Sequence, residues 1–216
     1  MSLAYGIIAV ISLIMVGVCV TVDKKRDEWL IWLFSSVALC NLGYFMVSVS
    51  KDLDAALNSN RIAYLGSVFL PLFLFMMVLR FCRIKASKSL MITLVTIGIV
   101  MLGITTSPGI STVYYKTVGI VFVDGYTKLV RTYGPLHTLY YVYLGVYMLT
   151  MAGIAFYAVV KRKLKSHLHT FLLLSAVLCN IIIWLVEEFF RKRIVCKYSR
   201  IRRRYRTGSN QGLYYY

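Results

Sequence analysis

Acidic side chains are scarce in this chain: eight Asp and Glu stand against 25 Lys and Arg in 216 residues. Charge of either sign makes up only 15% of the sequence, whereas 59% is hydrophobic and the mean hydropathy is +0.72. Soluble domains carry about 25% charged and 45–50% apolar residues, so a soluble globule is excluded. Intrinsic disorder is excluded for the same reason. Five cysteines (Cys19, Cys40, Cys82, Cys179, Cys196) form no Cys-x-x-Cys pair, and four of them sit in apolar stretches. They read as small residues of membrane helices, not as a zinc or disulfide framework.

Catalytic signatures are missing too. A phosphotransfer enzyme needs a phosphoacceptor His on a dimerising helix and a Gly-rich nucleotide lid. The three histidines, His137, His167 and His169, lie near predicted membrane boundaries instead, and no G-x-G-x-x-G follows a strand. No span holds the Lys that a retinal Schiff base requires, and H-E-x-x-H is absent. His167 and His169 diverge on a helix at i, i+2, and His137 belongs at the opposite surface, so neither a metal site nor a bis-His haem is expected. No catalytic residue, cofactor or metal is assigned.

What is present is a set of long apolar runs. A bilayer core about 30 Å thick takes about 20 residues of helix. Helices are expected over about 3–22, 29–50, 61–83, 88–107, 135–161 and 166–190. The first run is not a signal peptide: it is too long, lacks a basic start, and its charges Lys24, Lys25 and Arg26 follow it. The fold class is therefore an all-α polytopic membrane protein of six transmembrane helices.

Loop charge sets orientation. Connections after helices one, three and five carry eleven Lys and Arg, including Arg80, Arg83, Lys85 and Lys88; those after helices two and four carry five. The N-terminus is expected outside the plasma membrane. Six crossings would then return the C-terminus to the outside, although residues 191–216 hold nine Lys and Arg and no acid. One helix is missing from the count.

The long connection between helices four and five contains Val113–Val123 and Tyr126–Tyr133, rich in Val, Tyr, Phe and Ile and joined by Asp124-Gly125. Asp-Gly between β-type runs favours a tight hairpin turn. A small extracytoplasmic β-hairpin over about 113–133 is predicted, docked on the helix ends because a lone hairpin is marginal.

These residues carry a resemblance. Asn41-Leu42-Gly43-Tyr44-Phe45, Ala55-Ala56-Leu57, Ala63-Tyr64-Leu65-Gly66, Phe69-Leu70-Pro71 and Arg80-Phe81 resemble the N-terminal seven-transmembrane region of bacterial histidine kinases. Thr106-Ser107-Pro108, the hairpin, Tyr133-Gly134-Pro135 and Asn180-Ile181-Ile182-Ile183-Trp184 continue the pattern in order over about residues 3–190. The resemblance implies a sensor module, 1–190, that precedes a cytoplasmic output domain such as a kinase. The chain departs from the pattern after Glu188, where Arg191-Lys192-Arg193 replaces the expected seventh helix. The tail 191–216 is accordingly expected to be disordered, a truncated or frame-shifted end, and not a nucleic-acid-binding module.

Depth arranges the polar side chains. At about 1.5 Å per residue, Asn41 and Tyr44 fall in the outer half of helix two and Tyr64 near the outer end of helix three. His137, Tyr140 and Tyr141 are outermost on helix five. Asn180, Trp184 and Glu187, spaced four and then three, share a face of helix six. Polar groups in hydrocarbon are costly unless paired or lining a wet cavity. An outer pocket for a small-molecule ligand, formed by Asn41, Tyr44, Tyr64, His137, Tyr141, Asn180, Trp184 and Glu187, is one reading. Interhelical hydrogen bonding and interfacial Tyr and Trp are the plainer one. The function expected is detection of an extracytoplasmic or membrane signal, with a small-solute transporter or other integral membrane protein as the alternative; partners are lipid and a small ligand, and homodimerisation is left open.

Overall fold

The computed structural model describes residues 2–22, 28–123 and 125–161. The expected sixth helix (166–190), with Asn180, Trp184 and Glu187, and the basic tail (191–216) lie outside the described residues, as does Asp124. Five helices and one hairpin are described: α1 (Ser2–Val22), α2 (Glu28–Val49), α3 (Leu53–Phe81), α4 (Lys88–Thr105), β1 (Tyr115–Val123), β2 (Tyr126–Tyr133) and α5 (His137–Val160). Helices α2 to α5 are each long and apolar enough to cross a membrane, and α1 adds a further apolar helix.

Helix α3 is the axis of the bundle. It begins eight residues before the start expected from the apolar run at 61, because Asp52 caps it: the Asp52 side chain accepts from the Ala55 N–H at 2.7 Å. Its 29 residues span about 44 Å, more than the roughly 30 Å of a bilayer core. Buried residues occur along its whole length, from Ala56 to Leu79. The other helices keep exposed apolar sides among the described residues: on α5, Leu149 and Phe156 are 75% and 71% exposed.

Helices α2 and α3 meet through glycine. A Cβ on Gly66 would lie 2.4 Å from the Ser36 carbonyl, and one on Gly43 would lie 2.3 Å from the Ala63 nitrogen. Reciprocal small residues let the two backbones approach closely, and between membrane helices dispersion at short range replaces the hydrophobic drive.

The contact of α3 with α5 is polar at its centre. Pro71 has no N–H to give the Ser67 carbonyl one turn earlier. Tyr140 of α5 donates to that carbonyl at 3.5 Å, and Tyr143 donates to the adjacent Val68 carbonyl at 2.8 Å. The neighbouring helix thereby supplies a donor that the proline removed.

The hairpin is antiparallel, with Ile120 opposite Leu129 and Val123 opposite Tyr126. Gly125 takes φ +77, the left-handed value that the tight turn demands. Strand β1 starts at Tyr115, two residues inside the expected run, because the preceding residues form turns. Thr127 donates to the Ser50 carbonyl at the end of α2, which pins β2 to the bundle.

Candidate functional site

The hairpin docks on the bundle through phenols. Tyr64 of α3 and Tyr115 of β1 share a hydrogen bond of 2.7 Å between their hydroxyl oxygens, and the Tyr114 hydroxyl donates to Tyr64 at 3.1 Å. Arg131 of β2 donates from Nη1 to the Tyr115 hydroxyl at 2.6 Å, with its guanidinium 5.1 Å from the Tyr115 ring centre. That contact combines a charge-assisted hydrogen bond with a cation–π geometry. Edge contacts join Tyr64 to Tyr114 at 5.6 Å and to Tyr140 at 5.9 Å between ring centres.

His137, the first residue of α5, is buried in the same group. Its ring centre lies 3.7 Å from that of Tyr133, 4.9 Å from Tyr141 and 5.1 Å from Tyr114. Ser67, one turn along α3 from Tyr64, has a buried hydroxyl oxygen with no hydrogen-bond partner among the described residues.

Burial pushes the Tyr115 phenol well above its ordinary pKa, with the positive charge of Arg131 opposing. Burial raises Tyr114 in the same direction. Both phenols are neutral at physiological pH. The cationic fork of Arg131 thus faces neutral oxygens, and Tyr115 is its one hydrogen-bond partner among the described residues. A guanidinium has five N–H donors, and the bond to Tyr115 uses one of them.

Three of the residues expected from sequence meet here: Tyr64, His137 and Tyr141. Asn41 does not join them. Its Nδ2 donates to Ser12 Oγ at 3.3 Å and to the Val37 carbonyl at 3.0 Å, which ties α2 to α1. Tyr44 is 37% exposed and its ring centre lies 5.9 Å from that of Tyr5, so it sits toward α1 while remaining within electrostatic reach of Arg131. Asn180, Trp184 and Glu187 lie outside the described residues. Among the described residues, no group of three His, Cys, Asp or Glu could hold a metal.

Tyr114, Tyr115, Arg131 and Tyr133 were missed by the sequence reading. They belong to the hairpin, and a depth argument built on helices gives strand residues no position. A signal was nonetheless there, since tyrosine accounts for 17 residues of the chain and Tyr114, Tyr115, Tyr126 and Tyr133 cluster in the hairpin and its approach. Arg61 of α3 staples that helix to the residues that follow α4. Its Nε donates to the Thr106 carbonyl and its Nη2 to the Pro108 carbonyl, both at 3.1 Å.

Helices of this length and apolarity, capped at one end by a docked hairpin with an aromatic and cationic underside, define a multi-pass membrane protein. The chain belongs to the family described as the N-terminal 7TM region of histidine kinase, whose model matches residues 5–193. That is the sensor region of such kinases and not their catalytic part, so this is a membrane sensory module. No curated protein and no solved structure matches the chain.

Proposed function

We propose that the module detects a small extracytoplasmic or membrane-dissolved ligand under the hairpin and passes the signal to a cytoplasmic output domain. The observation that carries this reading is the Arg131–Tyr115–Tyr64–Tyr114 chain of hydrogen bonds, which joins β1 and β2 to the central helix. A ligand whose acceptor group takes the Arg131 fork would compete for the contact that holds the hairpin down. Helix α3 runs from that contact to the far end of the bundle, so a small shift at Tyr64 reaches the opposite face as a rigid displacement. Asn180, Trp184 and Glu187 complete the proposed pocket from helix six, and Tyr44 borders it. In this reading the N-terminus and the hairpin face outward.

The test joins residues 1–190, followed by a seventh transmembrane helix, to a cytoplasmic histidine-kinase output domain and measures autophosphorylation against added extracellular extract fractions. Tyr64→Phe, Arg131→Gln and Asn180→Leu should abolish the response while insertion stays intact; unchanged responses in all three would remove the pocket. Sidedness is read in a background without native cysteines. An impermeant thiol reagent should reach Lys128→Cys in intact cells and reach Lys85→Cys only after permeabilisation, and the reverse would invert the map. Solute flux in proteoliposomes made from the chain would favour a transporter instead.

A further inference from the structure

At the end of the bundle away from the hairpin, a cavity of about 380 Å³ opens between the end of α3, the start of α4 and Trp29 of α2. Arg80, Lys85 and Lys88 stand at it, and all three are exposed. Its accessible apolar lining includes Met91 and Trp29, with Met76 buried behind them. The two halves of the lining ask for different things. Three cations beside the first turn of α4, the positive end of a helix, favour a dense negative charge. Thioether and indole surface at the same opening favours hydrocarbon, and Trp at a helix end marks the interfacial level.

The cavity is preformed by its loop. Arg83 adopts φ +57, the Ile84 N–H bonds the Leu79 carbonyl at 2.9 Å, and the Arg83 N–H bonds the Arg80 carbonyl at 3.0 Å. This is the double bond pattern of a Schellman turn, which fixes where α3 stops and which way the chain leaves. Ser87 then caps α4 by accepting from the Leu90 N–H at 3.1 Å. At this end the described residues hold five cations, Arg80, Arg83, Lys85, Lys88 and Lys161, against one acid, Glu28.

We propose that this groove is a binding site for one anionic phospholipid. The headgroup phosphate sits among Arg80, Lys85 and Lys88, the glycerol level is at Trp29, and an acyl chain follows Met91 into the bilayer. A free phosphate would satisfy the cations and leave the apolar side wet. A zwitterionic lipid would satisfy the apolar side and bring its own cation against three others. The site is independent of the sensing pocket and lies at the opposite membrane face.

Native mass spectrometry of the full chain, extracted from vesicles of equal parts phosphatidylglycerol and phosphatidylcholine, tests the proposal. The chain should retain phosphatidylglycerol about tenfold over phosphatidylcholine. The triple variant Arg80→Gln, Lys85→Gln, Lys88→Gln should lose that preference. Lys51→Gln, Lys116→Gln, Lys128→Gln removes as much charge at the hairpin end and should keep it. Retention by the first triple variant, or equal loss in both, overturns the site. Adduction of inorganic phosphate or glycerol 3-phosphate as strong as that of the lipid also overturns it, in favour of a free anion. If the triple variant fails to insert, Lys88→Gln alone gives the reading: a several-fold loss of phosphatidylglycerol supports the site, and wild-type retention overturns it.

Discussion

Tyr64 and Tyr115, 51 residues apart in sequence, hold hydroxyl oxygens 2.7 Å from each other, and through that bond the hairpin rests on the central helix. Neither residue alone could have a buried hydroxyl without cost; together with Tyr114 and Arg131 each phenol has a partner. The contact holds the fold together and is also where the proposed ligand would act.

Removing one partner of that bond strands the other. Tyr64→Phe and Tyr115→Phe should each lower stability by about 1–2 kcal/mol, and the double variant should cost less than the two added. Thermal melting in one detergent, arranged as a double-mutant cycle, measures the coupling. Strict additivity would show that the bond contributes nothing.

Lysine cannot replace Arg131. The planar guanidinium both lies over the Tyr115 ring and donates to its hydroxyl at 2.6 Å, and a lysine would keep the charge while losing the fork. Arg131→Lys should loosen the hairpin by about 1–2 kcal/mol. Proteolytic nicking near Gly125 should speed up several-fold, with the helices left intact.

Alkali should release the hairpin before it unfolds the helices. Tyr114 and Tyr115 have phenols raised by burial, so above about pH 10 the undocked state loses protons that the docked state keeps. Docking stability is complete below that pH and falls as pH climbs toward the raised values. Phenolate absorbance should show one fewer late-titrating tyrosine in Tyr115→Phe than in the wild type.

Helix contact should fail where glycine is replaced. Gly66→Val must displace the Ser36 carbonyl and the Cys40 backbone, so α2 and α3 separate, at a cost of about 3 kcal/mol or more. Gly145→Ala, with nothing within 4 Å of the added carbon, should be neutral or slightly stabilising. The folded fraction after extraction separates the two.

Arg83 occupies a left-handed position that glycine holds without strain. Arg83→Gly should raise stability by about 0.5–1 kcal/mol while keeping the Schellman bonds. A lower melting temperature would show that the arginine side chain has a role outweighing its backbone strain.

Helices α1, α2, α4 and α5 fall within a few residues of the runs read from sequence, because hydropathy over about 20 residues is a local property that the bilayer enforces. Helix α3 ran past its apolar segment, since Asp52 capped a stretch that hydropathy alone treats as loop. Asn41 was placed in the pocket by depth, and depth is not azimuth: its hydrogen bond to Ser12 shows that it faces α1.

Alone, the sequence determined the membrane, the apolar spans and the hairpin. Each follows from the solvation of short stretches of chain, which neighbours in space barely alter. Which way each helix turns about its own axis, and so which side chains share a site, was decided by packing. Gly43 and Gly66 bring α2 onto α3, Pro71 frees a carbonyl that α5 fills, and the hairpin then lowers Tyr115 and Arg131 onto Tyr64. Contacts of that kind join residues dozens of positions apart, and they exist only once the helices have met.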